Sequence, residues 1–139
     1  MACPAFPTCG LAVTEAERAL PTVMDQIERD LAALGLQDER LTVRMTGCPN
    51  GCARPYNADI GLVGRSATRN PDGTPGPGTY TLFLGGRTTG ERLNVEFKDY
   101  VPQNEVAVVL APVFARFKSE RQPGETFGDF CHRVGVAAL

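Results

Sequence analysis

Four cysteines, arranged as two close pairs in proline- and glycine-rich surroundings, constrain this chain more than any other feature. Cys3 and Cys9 are spaced C-x5-C, and Cys48 and Cys52 are spaced C-x3-C. Pro and Gly let a backbone curl round a ligand and aim its amides inward. An iron–sulfur cluster needs four thiolates converging from different directions, and two pairs on separate loops can supply them. Structural zinc also takes four cysteines, but its pairs usually stand two to four residues apart, so C-x5-C makes a poor zinc knuckle. Zinc stays open as the alternative. A fifth thiol, Cys131, lies in the apolar stretch Phe127-Gly128-Asp129-Phe130-Cys131 and reads as core packing. The only histidine, His132, reads as a surface or hydrogen-bonded structural residue.

The rest of the chain describes the vessel for these loops. Its 139 residues suit one domain, spanning 1–139, with enough length to bury a core. Apolar residues make up 42% and charged residues 22%, as in ordinary globular proteins. The net charge of −2 and the pI near 5.4 give no electrostatic footprint for nucleic acid or an anionic membrane. No apolar run reaches the roughly 18 residues of a membrane span. The first ten residues lack the charged and apolar regions of a signal peptide. A reducing, cytoplasmic setting is therefore expected, where disulfides are rare.

Hydrophobic periodicity predicts a helix over 21–34, with Pro21 in its first turn and Gly35 just past its end. Thr14 and Glu17 have the spacing of a capping box. Strands are expected at 41–45, 60–63, 80–84 and 93–97. Residues 65–78 carry glycines and prolines and read as a loop or long hairpin connection. Helices are predicted at 103–121, kinked at Pro112, and at 126–133. This order predicts an α+β domain: a mixed sheet covered by helices.

The residues around the cysteines carry a resemblance. Gly47-Cys48-Pro49-Asn50-Gly51-Cys52-Ala53-Arg54-Pro55 resembles the second cysteine motif of the sirohaem-containing nitrite and sulfite reductases. Cys3-Pro4-Ala5-Phe6-Pro7-Thr8-Cys9-Gly10-Leu11-Ala12 resembles their first, and Phe127-Gly128-Asp129-Phe130 their closing segment. The resemblance covers essentially the whole chain. Gly51 and Ala53-Arg54-Pro55 are similar to the sulfite branch, and the helix after Cys9 and the tail resemble its ferredoxin-dependent or assimilatory type. It implies that Cys3, Cys9, Cys48 and Cys52 hold one [4Fe–4S] cluster, and that Cys52 also bridges to the sirohaem iron. Asn50 and Arg54 flank that loop and are candidates to touch cluster sulfurs or sirohaem carboxylates.

The same resemblance implies a last domain of a longer enzyme that reduces sulfite to sulfide. An N-terminal remainder would grip sirohaem and sulfite, and a ferredoxin or flavoprotein reductase would donate electrons. The domain alone is then expected to be inactive. The family's first strand, which runs into the first cysteine, would be cut here to Met1-Ala2. That predicts an exposed sheet edge at 41–45, and self-association along it. A stand-alone iron–sulfur electron-transfer module, or a zinc-binding structural domain, is the alternative function.

Overall fold

The computed structural model describes residues 1–139, the side chain of Pro75 excepted. Four strands form one mixed sheet in the order β1 (Val43–Thr46), β2 (Ile60–Arg69), β3 (Pro75–Leu84) and β4 (Val95–Pro102). The β1–β2 pair is parallel, with Val43 opposite Ile60 and Met45 opposite Leu62, and the other two pairs are antiparallel. The helices are α1 (Leu20–Ala33), α2 (Val106–Glu120) and α3 (Phe127–Val134). Among the described residues, no helix is long and apolar enough to cross a membrane.

Side chains alternate between the two faces of a strand, and this alternation decides where everything else sits. Val43, Met45, Ile60, Leu62, Leu82 and Leu84 are buried in one hydrophobic cluster with Val23, Ile27, Leu110, Phe114, Phe117, Phe127 and Phe130 of the helices. The intervening residues Arg44, Gly61 and Phe83 point to the other face, where the segment following the second cysteine pair is laid down.

Helix α1 forms as its periodicity predicts. Leu20, Val23, Ile27 and Leu31 are its buried stripe, and Pro21 sits in the first turn, where its missing N–H has no helical partner to lose. The Leu36 amide donates to Leu31 O and the Gly35 amide to Ala32 O, which closes the helix in a Schellman motif. The capping box does not form. Ala19 is the N-cap, Thr14 is buried, and the Glu17 amide donates to the carbonyl of Cys3.

The strands and α2 sharpen two further expectations. Of the two readings of residues 65–78, the hairpin one is met: β2 and β3 continue as an arm whose tip is Asn70–Thr74. Residues 103–105 form a 3-10 turn, so α2 starts at Val106 and not at 103, and Pro112 lies inside it. Both Val108 and Pro112 are exposed, so water can serve the carbonyl that Pro112 leaves without a donor.

The expected open edge at β1 is also corrected. The Met1 ammonium donates to Val43 O at 2.9 Å, the Met45 amide to Met1 O at 3.0 Å, and the Cys3 amide to Met45 O at 3.1 Å. Ala2 thus bridges Met45 in parallel, and the chain's own first residues occupy the edge that was expected to recruit a second copy.

At the far end, Asp59 ties the sheet to α3. One carboxylate oxygen accepts from the amide and hydroxyl of Thr42, the other from the amide of Gly128. Thr126 caps α3 by accepting from the Asp129 amide. Hydrogen bonding from Arg92, which also donates to Gly85 O, holds the Asp129 carboxyl below its usual range.

Candidate functional site

Both cysteine pairs leave from the same end of the sheet. Met1–Cys3 runs parallel to β1, so Cys3 emerges beside the C-terminal end of that strand, where Gly47 and Cys48 follow Thr46. The two loops are joined at Gly47. Its amide donates to Cys3 Sγ at 3.3 Å, and its carbonyl accepts from the amides of Val13 and Thr14 at 2.8 and 3.0 Å. The Thr14 hydroxyl also faces that carbonyl, at 3.5 Å. A side chain at Gly47 would stand 2.6 Å from Thr14 O and 2.8 Å from Ala5 Cβ. The loops therefore approach as closely as backbone allows, and the residue between them has to be glycine.

Thr14 is held in turn by the hairpin arm. A Cβ on Gly78 would lie 2.6 Å from Thr14 Cγ2, and one on Gly64 would collide with Thr14 Oγ1. Tyr80, fully buried on β3, donates its hydroxyl to Glu15 O at 2.7 Å, and burial pushes its phenol up to about 12. Replacing Tyr80 by phenylalanine should remove one buried hydrogen bond and leave the Glu15 carbonyl without it, a loss of about 1–2 kcal/mol. Urea denaturation checks this. A stability unchanged from the parent would show that the hydroxyl does not anchor the first loop.

Within the first loop, the Cys9 amide donates to Ala5 O at 2.7 Å and the Ala12 amide to Cys9 O at 3.3 Å. The second loop is two successive turns, with the Gly51 amide on Cys48 O and the Arg54 amide on Gly51 O. Ala5, Gly51 and Arg54 adopt left-handed backbone, at φ 47°, 70° and 53°. For Ala5 and Arg54 that conformation costs about 1–2 kcal/mol each; Ala5 is fully buried, and the Arg54 amide is held by Gly51 O.

The structure brings Cys3 and the start of the Cys48 loop together directly, and places Cys9 and Cys52 on the loops that Gly47 joins. Cys3, Cys9 and Cys48 are half-buried, and Cys52 is exposed. Among the described residues, no three Cys, His, Asp or Glu side chains are grouped round a point that would suit a single metal ion.

Asn50 and Arg54 are exposed, and Arg54 makes no side-chain hydrogen bond or ion pair among the described residues. Arg44 reaches Asn57 Oδ1 at 3.2 Å and is spent on the loop itself. Burial lifts the Tyr56 phenol above its usual range, with the charge of nearby Cys48 adding to it, and its hydroxyl donates to Pro49 O at 3.3 Å. Cys131 stands apart, fully buried, its thiol pushed up to about 12 by that burial, as a packed core residue should be. His132 is exposed.

Sequence reading does not find Gly47, Thr14 and Tyr80 as site-building residues. Gly47 stands next to Cys48 and can be found from that. Thr14 offers only a misleading capping-box spacing and Tyr80 no local signal, because their partners are distant in the chain.

A family model described as the nitrite and sulphite reductase 4Fe-4S domain matches residues 1–139. The chain belongs to that family. It is 52% identical over 139 residues to a sulfite reductase [ferredoxin] of Synechococcus elongatus, covering all of this chain and 21% of that protein. It is 53% identical over 133 residues to a sulfite reductase [NADPH] hemoprotein beta-component of Acidithiobacillus ferrooxidans, covering 96% of this chain and 22% of that one. Among solved structures, the Mycobacterium tuberculosis NirA protein superposes with a TM-score of 0.78 at 26% identity, over all of this chain and 26% of its own. The α+β expectation is thereby met in this family's fold. The chain spans about a fifth of the length of the curated relatives it matches.

Proposed function

We propose that Cys3, Cys9, Cys48 and Cys52 hold a [4Fe–4S] cluster, and that Cys52 also bridges it to a sirohaem iron in an enzyme reducing sulfite to sulfide. The observation that carries this reading is the junction at Gly47, where a backbone amide already donates to Cys3 Sγ at 3.3 Å and binds one cysteine loop to the other. An amide on a thiolate offsets its negative charge and helps set the potential of the group it ligates. When bound, the paired cofactors supply electrons to the substrate sulfur one at a time, while its oxygens leave as water.

The chain's own residues have distinct parts in this. Gly47 and Thr14 fix the two ligand loops against each other. Cys52 lies at the exposed side of its loop, as a thiolate shared with a second cofactor must. Arg54, exposed and without an ion pair among the described residues, has its charge available for a sirohaem carboxylate, and Asn50 can donate to a sulfur or to the macrocycle. The electron donor in this reading is ferredoxin or a flavoprotein reductase; the relatives' names, which carry ferredoxin and NADPH, support the two kinds of source. The remainder of such an enzyme would supply the basic pocket for sulfite, and a cytoplasmic setting suits cluster chemistry.

The two arginines nearest the loops, Arg44 and Arg54, are too little charge to hold both a polyanionic macrocycle and a dianion. Electrostatic preorganisation round the developing charge is usually the largest catalytic contribution, and most of its donors would lie elsewhere. The 139-residue chain, reconstituted with iron and sulfide and given sirohaem, a strong reductant and sulfite, should bind iron and acid-labile sulfide but produce no sulfide from sulfite. Steady turnover above a cluster-free control would show that the catalytic groups are local. Uptake of zinc and no iron would remove the cluster reading altogether.

A further inference from the structure

We infer that Asn94 is a positioning residue for Cys52: it clamps the turn that closes the second cysteine loop. Asn94 is only 9% exposed and stands just before β4, far from either cysteine motif in sequence. Its Nδ2 donates to Pro55 O at 2.6 Å and to Ala58 O at 3.2 Å, and its backbone amide donates to Tyr56 O at 2.7 Å. One residue thus serves three carbonyls of the Pro55–Asn57 turn and its C-cap, Ala58.

A 3-10 turn of this length has no ladder of its own to engage its carbonyls, so an outside donor decides whether it holds its shape. Asparagine offers two side-chain donors, which aspartate and leucine cannot. The price of the choice is visible: Asn94 Oδ1 is buried and unpartnered among the described residues. A buried orphan acceptor is destabilising, and it is tolerated here only with the Nδ2 contacts in place.

The clamp bears directly on Cys52. Between Cys52 and Pro55 lie only Ala53, which is 2% exposed, and Arg54, which is held in left-handed backbone. Neither leaves slack to absorb a movement of Pro55. The turn is pressed onto the sheet at Gly61, where any Cβ would strike Pro55 O and lie 3.0 Å from Asn94 Nδ2. Cys52 is otherwise exposed, so its placement depends on this attachment more than on packing of its own.

The inference that Cys52 is thereby oriented as a ligand rests on the cluster reading above, but the clamp can be tested without a cluster. Hydrogen exchange in the unloaded Asn94→Ala protein should show the Arg54 and Ala58 amides exchanging about tenfold faster, the effect of losing buried hydrogen bonds in one local unit. The Cys9, Ala12 and Val13 amides of the first loop should be unchanged. Val113→Ala, a core truncation in α2, serves as the reference for general loosening. Equal acceleration of both loops, or the same pattern in Val113→Ala, would overturn the clamp.

Should Asn94→Ala not fold, native-state exchange in the unaltered protein decides: Arg54, Ala58 and Asn94 amides must open as one unit with denaturant, and separate opening overturns the inference. In reconstituted protein, Asn94→Ala should also release iron to a chelator about tenfold faster than the parent, in line with lost outer-shell support. A parent that takes up no iron while the exchange shift is present would sink the cluster reading and leave the clamp standing. A cluster-bearing protein without the exchange shift would do the reverse.

Discussion

Replacing Cys48 by serine should strip the reconstituted protein of its iron, and Cys3→Ser, Cys9→Ser and Cys52→Ser should each do much the same. Loss of a group one step outside a metal's ligands commonly costs ten- to a hundredfold in affinity, so loss of a ligand should lower iron content by at least about tenfold. Cys131→Ser should keep its iron, because Cys131 is packed in the core away from both loops. Iron and acid-labile sulfide analysis on all five variants gives the comparison. The ligand assignment would be falsified by Cys131→Ser losing iron as fully as Cys48→Ser.

Position in the chain alone would rank Cys3 as the weakest ligand, since terminal residues fray. The structure removes that ground. The Cys3 amide donates to Met45 O, its carbonyl accepts from the Glu17 amide at 3.1 Å, and its sulfur accepts from the Gly47 amide. Cys3→Ser is therefore expected to be as severe as Cys48→Ser.

Gly47→Ala is expected to damage stability severely. The added methyl would meet Thr14 O at 2.6 Å and Ala5 Cβ at 2.8 Å, and the nearer neighbour is backbone that cannot turn aside. Relief requires separating the two loops, which would stretch or break the bonds from Val13, Thr14 and Gly47 itself. Overpacking typically costs 1–3 kcal/mol, and with those hydrogen bonds added a loss of about 4 kcal/mol is expected. Chemical denaturation measures it, and iron uptake should fall in parallel. An alanine variant as stable as the parent, with full iron content, would mean that the loops are not coupled through this residue.

Legibility in the sequence followed the strength of local signals. Helix α1 could be read because Leu20, Val23, Ile27 and Leu31 repeat at helical spacing against polar neighbours. The strand β4 was placed too early, at 93–97 instead of Val95–Pro102, because most of its residues are exposed and its alternation is weak. The outer halves of β2 and β3 stayed ambiguous for the same reason: Arg65–Arg69 is polar and largely exposed, so periodicity could not separate strand from loop. The capping box failed differently. Thr14 has the right spacing from Glu17, but Gly47, Gly64 and Gly78 together make a slot for its side chain, and tertiary packing overrode the local motif.

The sequence by itself determined the chemistry available: four cysteines in two loops, the residue types round them, and a helical and strand pattern sufficient for an α+β domain. Those are local properties, written in spacing and side-chain type. Only the tertiary structure decided how the loops are held. The parallel placement of Met1–Cys3 beside β1 closes an edge expected to be open and delivers Cys3 to Gly47. Tyr80 reaches Glu15 across 65 positions and Asn94 reaches Pro55 across 39. Contacts of that separation exist only once the sheet has set the register of its strands, and no spacing rule along the chain encodes them.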